Sequence, residues 1–301
     1  MQTTNYLQAK ESFFLSAQVE GKSRRTLELY EETLKKFELF LIDKDLLSAN
    51  ASDIRQFLFS LEKQGFAKAT LYTHHKELRV FYNFLLNEGY ISENPMKGIK
   101  PPKMPRVYPY VLSEEDVEKL LRATRKNSFE GKRDYAILLT FIDTGIRVSE
   151  LINLSIDDVS LATYTMKVRG KGDRERIVYF SKETAKALST NIKSRGFIAH
   201  EDRFFISRAG EPMNRNSVLQ MLKRLAKRAK IKDKRVSPHT FRHTSATFWI
   251  KNGGDTVSLR IQLGHVDTRM VDVYVNLVGK DLRDAHRKYS PVSRLLIKKR
   301  N

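Results

Sequence analysis

The chain has 301 residues, 41% of them hydrophobic, with 55 Lys and Arg against 35 Asp and Glu (formal net charge +20 at pH 7) and no cysteine. That length predicts two domains with real cores. The composition excludes a disordered chain, and the missing cysteine excludes disulfides, thiolate zinc sites and cysteine nucleophiles. An excess of positive charge draws polyanions, nucleic acid first, because each neutralised phosphate releases condensed counterions.

Two helix-rich blocks flank a stiff connector. The first, 1–93, carries apolar residues at helical spacing in "NYLQAKESFFLSAQVE", "SRRTLELYEETLKKFELFLI", "SDIRQFLFSLEKQ" and "ATLYTHHKELRVFYNFLLNEG". In the second of these segments Leu27, Tyr30, Leu34, Phe37 and Leu41 form one core stripe. Ser23 and Ser52 are expected N-caps, and Gly89 is expected to close the fourth helix. The connector "NPMKGIKPPKMPRVYPY", 94–110, holds five prolines, which keep it extended, and Lys97, Lys100, Lys103 and Arg106 make it cationic. It reads as an interdomain linker able to lie along a phosphate backbone.

The second block, 111–301, opens with Ser113 as N-cap and acids in the first turn, which suits the helix dipole. "KRDYAILLTFIDTG" is a buried helix ending at Gly145, and "YTMKVRGKGDRERIVYF" alternates around a Gly-rich turn as a β-hairpin does. "SKETAKALSTNIKSR" and "NSVLQMLKRLAKRAK" are helices, the latter with a basic face. The predicted fold class is α+β: mainly α, with a small antiparallel sheet in the C-terminal domain. No apolar run approaches the ~20 residues that span a bilayer. The start lacks a signal-peptide pattern, so no membrane role and a cytoplasmic location are expected.

The stretch "SPHTFRHTSATFWI" concentrates chemistry. Pro238 after Ser237 signals a helix start, which sets His239, Arg242 and His243 at i, i+3 and i+4 on one face. His at i and i+4 is a zinc geometry, but Thr240 stands where a metalloprotease motif wants Glu, and the fixed charge of Arg242 would oppose a dication. A phosphate site uses the same atoms: Arg offers a planar fork, and His a donor or base near neutrality. A helix with incidental polar residues remains the plain alternative on this stretch alone. Three further segments add Arg147 and Glu150 in "DTGIRVSEL", Lys171 in "VRGKGDRERIV", and His265 with Tyr274 nine residues later in "LGHVDTRMVDVY".

Together these segments resemble the tyrosine recombinases of the phage-integrase and Xer-like class. The pattern there is Arg in T-G-[ILMF]-R-x-[ST]-E, Lys in a G-K-G turn, H-x-x-R, then L-G-H with Tyr nine residues on. The resemblance covers nearly the whole chain. It implies a four-helix core-binding domain over 1–93 and a catalytic domain with a C-terminal tail over 111–301.

By the same resemblance, Arg147 and Arg242 would grip the scissile phosphate. His239 and His265 would bind it too, with His239 a candidate for the tyrosine proton. Lys171 would protonate the leaving 5′ oxygen, Tyr274 would be the nucleophile, and Glu150 would support the site from behind. His243 has no part in the pattern and is read as structural, as is Tyr289. The class implies double-stranded DNA with a specific recombination site as partner, no cofactor and no metal. It also implies a homotetramer working through a Holliday junction, with the tail bearing Leu295, Leu296 and Ile297 docked in trans. Accessory proteins are left open. The sequence departs from the pattern at Val275–Asn276, where a Thr-His pair is common, and keeps only Thr268 of a usual threonine pair. The rivals are a type IB topoisomerase, an inactive DNA-binding partner, and a metal-dependent phosphodiesterase on His239, His243 and His265.

Overall fold

The computed structural model describes residues 2–104, 109–170, 174–195, 202–264 and 273–275. Lys171, His265, Thr268, Arg106, Tyr289, the hairpin turn at 171–173 and the tail with Leu295–Ile297 lie outside these residues. The chain divides into two compact units, Met1–Val107 and Tyr108–Asn301.

The first unit contains α1 (Gln2–Val19), α2 (Arg24–Leu41), α3 (Ala51–Lys63) and α4 (Lys68–Asn87). Its core is built on the apolar stripes: Phe13, Leu34, Phe37, Ile54, Phe57, Leu78, Phe81 and Tyr82 are all buried. Phe13 meets Phe81 edge-on at 5.1 Å, a favoured arrangement of ring quadrupoles. Ser23 caps α2 by accepting from the Thr26 amide. At α3 the cap is Asn50 rather than Ser52. Asn50 accepts from the Ser52 and Asp53 amides, while the Asp53 carboxylate accepts from the Asn50 amide in a capping box. The longer Asn side chain two positions earlier satisfies the orphan donors first, so Ser52 becomes an ordinary first-turn residue. Gly89, at φ +74, follows the end of α4 as expected. Beyond it, His75 Nε2 lies 3.0 Å and Arg79 Nη2 2.8 Å from the Ile99 carbonyl, which fastens the start of the proline-rich segment to α4.

The second unit begins with α5 (Glu114–Arg122), capped by Ser113 in a capping box with Asp116. The buried helix α6 (Phe129–Thr144) packs against α8 (Lys182–Arg195) and α10 (Pro238–Lys251). Between α6 and α8 come α7 (Val148–Asn153) and three antiparallel strands, β1 (Val159–Ser160), β2 (Thr165–Arg169) and β3 (Glu175–Tyr179), in the order β1-β2-β3. The β2–β3 register pairs Val168 with Arg176 and Met166 with Val178. The helices α9 (Arg215–Arg228) and α11 (Thr256–Leu263) complete the described elements, with residues 273–275 helical as well. The expected class therefore holds: mostly helix, with a small antiparallel sheet confined to the second unit. No helix among the described residues is long and apolar enough to cross a membrane.

Candidate active site: an arginine cluster beside a buried phenol

The site is assembled where two helices end and a third begins. Gly145 stops α6 in the left-handed conformation (φ +63) and turns the chain directly into Arg147. A Cβ there would come within 2.5 Å of Leu263 Cδ2, so the close approach of α6 to α11 also requires glycine. Arg147 is the N-cap residue of α7, and its own amide donates to Glu150 Oε2 at 2.8 Å. Gly264 ends α11 in the left-handed conformation too (φ +63). The last carbonyls of α11 face the cluster, and each is taken by a guanidinium from a different element. Arg176 of β3 donates to Gln262 O at 3.0 Å, Arg242 of α10 to Leu263 O at 2.7 Å, and Arg147 to Gly264 O at 3.4 Å. Arg242 also donates to Gly145 O at 2.6 Å. Cations at helix C-termini are favoured by the helix dipole, so α6 and α11 help gather the arginines.

Glu150 locks the arrangement from beneath. Its side chain is fully buried and accepts from Arg147 Nη1 at 2.9 Å and from Arg176 Nη1 and Nη2 at 2.8 and 3.0 Å. Burial alone would push this carboxyl up, but the bonds and charge of Arg176, then those of Arg147, hold it below the usual carboxylate range. Two guanidinium groups thus share one carboxylate, with the Arg242 guanidinium close enough to feel its charge, and positive charge is left over. Two neighbours register that surplus. Arg242 is pulled down to about 10 by burial and then by the charge of Arg147. His239 is lowered by burial and then by Arg242, Arg235, Arg147 and Arg215. Such a partly buried excess of positive charge suits an anion. Among the described residues, two of the five N–H donors of Arg242 go to the carbonyls named above.

Tyr274 completes the constellation. Its ring is fully buried among Ala246, Ile250, Leu259 and Leu263. Burial raises the phenol pKa, and the charge of Arg242 works the other way. Its hydroxyl lies 2.9 Å from His243 Nδ1. His243 is itself pushed down to about 4 by burial and then by the nearby His239 and Arg242.

Of the seven residues singled out from sequence, the structure gathers Arg147, Glu150, His239, Arg242 and Tyr274 around α10 and the end of α11, while Lys171 and His265 fall outside the described residues. Two participants were not picked out. Arg176 was passed over, although it sits two residues before the buried Val178 and so shares the strand's inner face. A charge on such a face signals a buried counter-charge. His243 was read as structural, yet it touches the phenol. Among the described residues no three His, Cys, Asp or Glu side chains cluster as metal ligands do.

A cluster of arginines at helix ends, with a phenol alongside, is an electropositive setting suited to an anion. Comparison with known proteins gives this site its family. Residues 110–280, more than half the chain, match the phage integrase family, and residues 11–89 match the phage integrase N-terminal SAM-like domain. The chain therefore belongs to the phage integrase family.

Among its relatives are proteins named tyrosine recombinase XerD. The one from Listeria innocua is 32% identical over 282 residues, covering 90% of this chain and 94% of the relative. That from Oceanobacillus iheyensis is 33% identical over 296 residues, covering 94% and 98%. Among solved structures, XerA recombinase is 31% identical over 95% of this chain and 98% of its own, with a TM-score of 0.53. The fold is also that of XerH site-specific recombinase bound to palindromic difH substrate (TM-score 0.75, 20% identity, covering 96% and 85%).

Proposed function

We infer that the chain is an Xer-like site-specific tyrosine recombinase, which cuts duplex DNA at a specific site and rejoins it through a 3′-phosphotyrosine and a Holliday junction. The observation that carries this is the surplus of guanidinium charge held beside a buried tyrosine in a member of the phage integrase family.

A phosphodiester under attack gains charge on its equatorial oxygens, and fixed cations stabilise that charge. In this reading Arg147 and Arg242 hold the non-bridging oxygens, with His239 and His265 beside them. Glu150 and Arg176 keep Arg147 in place. Tyr274 Oη attacks phosphorus, and Lys171 protonates the departing 5′ oxygen. The phosphotyrosine ester conserves the energy of the broken bond, so rejoining to another 5′ hydroxyl needs neither ATP nor a metal.

Residues 1–93 of the first unit serve as the core-binding domain, 94–110 as the cationic linker, and the rest of the second unit as the catalytic domain. A charge of +20 supports DNA as the partner of both. Four protomers acting on two sites, coupled through their C-terminal tails in trans, complete the reaction, and the setting is the cytoplasm.

The test is a nicked suicide duplex carrying the chain's own recombination site, incubated in chelator. Wild type should accumulate a covalent adduct and Tyr274→Phe none. An adduct that persists in the variant, or one that needs a divalent metal in wild type, would overturn the assignment and revive a metal-dependent phosphodiesterase.

A further inference from the structure

The last turn of α11 holds the arginines, so whatever fixes that turn fixes them. Its carbonyls at Gln262, Leu263 and Gly264 accept from Arg176, Arg242 and Arg147. On one side Leu259 and Leu263 pack with Ala246, Ile250 and the Tyr274 ring. Apolar burial is non-directional, so that side alone would let the helix slide. The other side meets β3, and there the contact is polar. Gln262 is only 9% exposed, beside an Ile261 that is 62% exposed. It donates from Nε2 to Tyr179 O at 2.6 Å and accepts at Oε1 from the Tyr179 amide at 3.2 Å.

Among the described strands, β3 lies at the edge of the sheet. The Tyr179 amide and carbonyl turn to that free edge, and the Gln262 side chain pairs with both, as a neighbouring strand would. A further bond joins the same strand to the same residue, from Arg176 Nε to Gln262 O at 3.0 Å. Gln262 is thus tied to β3 through its main chain and its side chain at once. Outward-facing pairs recur along a strand only at every second residue, roughly 7 Å apart, so one setting of α11 against β3 satisfies the clamp.

We propose that Gln262 is a positioning residue for strand cleavage: its amide fixes the register of α11 against β3, and with it the seats of Arg176, Arg147 and Arg242. This rests on the reading of the arginine cluster as the scissile-phosphate site. The path to that site is short. Arg176 donates to Gln262 O and to both Glu150 oxygens, and Glu150 accepts from Arg147. Gly264, at the same helix end, leaves no slack, since a Cβ there would stand 2.9 Å from the Arg176 guanidinium. An apolar side chain at 262 would leave the Tyr179 groups without these partners and α11 held to the sheet by packing and one bond. Because Gln262 acts only through its neighbours, its loss alters the chemical step and not the binding of the duplex.

The experiment uses the full chain and the nicked suicide duplex. Gln262→Met keeps the length of an unbranched side chain and removes both side-chain bonds. Hydrogen exchange at the Tyr179 amide should quicken in this variant, which reports the clamp itself. The maximal single-turnover cleavage rate should fall about 10–100-fold, the worth of two neutral hydrogen bonds. The duplex concentration giving half that rate should be unchanged. Arg176→Ala should also slow cleavage, and adding Gln262→Met to it should cost less than about threefold more, because the two act on one path. A residue that merely stabilised the fold would multiply the two defects. Gln262→Glu keeps the acceptor for the Tyr179 amide and loses the donor, so it takes the place of Met throughout if the Met variant unfolds, with a fall of about tenfold. Cleavage within about threefold of wild type, weaker duplex binding with an unchanged maximal rate, or multiplied defects in the double variant overturns the proposal. An adduct retained by Tyr274→Phe would instead remove the reading beneath it.

Discussion

Two buried glutamates show how differently the two units treat a charge. Glu77 on α4 and Glu150 on α7 are both almost wholly shielded from water, and burial pushes both carboxyls up. Around Glu77 stand the Thr33 hydroxyl, which donates to it, and the His74 ring, whose Nδ1 lies 2.7 Å from that hydroxyl. These partners do not outweigh burial, and Glu77 remains above the ordinary carboxylate range. Around Glu150 stand two guanidinium groups, and the balance reverses. The first unit thus ties α2 to α4 with a polar network in which no guanidinium bonds the carboxyl. The second keeps a full carboxylate in its interior because it has arginines to aim. A buried ion pair is weak evidence for stability alone; in the function proposed above, this one serves to hold Arg147 in place.

The sharpest way to break this contrast is to delete the Glu150 carboxylate. Glu150→Ala leaves Arg147 and Arg176 without their counter-charge and should cost about 3–5 kcal/mol in denaturant unfolding. The loss should be greatest near neutral pH. Glu150 has a lowered folded-state pKa, so its contribution is present above the ordinary carboxylate value and fades as pH falls through the lowered one. Glu77→Gln should stay within about 1 kcal/mol of wild type at pH 7. Its pH dependence has the opposite sign. A raised folded-state pKa stabilises fully below the unfolded value and loses that contribution as pH rises through the folded one. Wild type should therefore lose ground to Glu77→Gln between acid and neutral pH. Parallel slopes for the two variants would erase the distinction.

Between those two effects in size lies a pair of glycines. Gly89 and Gly264 both have positive φ, but a Cβ on Gly89 meets open space, whereas one on Gly264 would press to 2.9 Å from the Arg176 guanidinium. Gly89→Ala should lose about 1 kcal/mol from backbone strain alone. Gly264→Ala should lose more and should also slow cleavage by disturbing Arg176. Equal losses with unchanged cleavage would show that Arg176 has no part in setting Arg147.

Much of this was legible in the chain itself. The stripe Tyr30, Leu34, Phe37 and Leu41 is short-range information, and so is the alternation that gave the β2–β3 hairpin. The matching family motifs brought Arg147, Glu150, His239, Arg242 and Tyr274 to notice before any geometry. What escaped notice depends on contacts between distant positions. Arg176 sits in a run of charged residues, "GDRERIV", and its inward direction is evident only once Val178 anchors the register. His243 lies one turn from His239, and nothing local announces a partner 31 residues on. The α3 cap was misplaced by two residues because Asn50 and Ser52 are both competent, and only the backbone geometry chooses between them.

The central claim is that the phenol oxygen of Tyr274 displaces an ester of DNA within the arginine cluster. The most direct measurement is proteolysis of the suicide-substrate adduct formed in chelator, followed by mass spectrometry of the peptide that carries the nucleotide. The account predicts a 3′-phosphate ester on Tyr274. An adduct on any other residue, Tyr289 included, or on a 5′ phosphate, would contradict it.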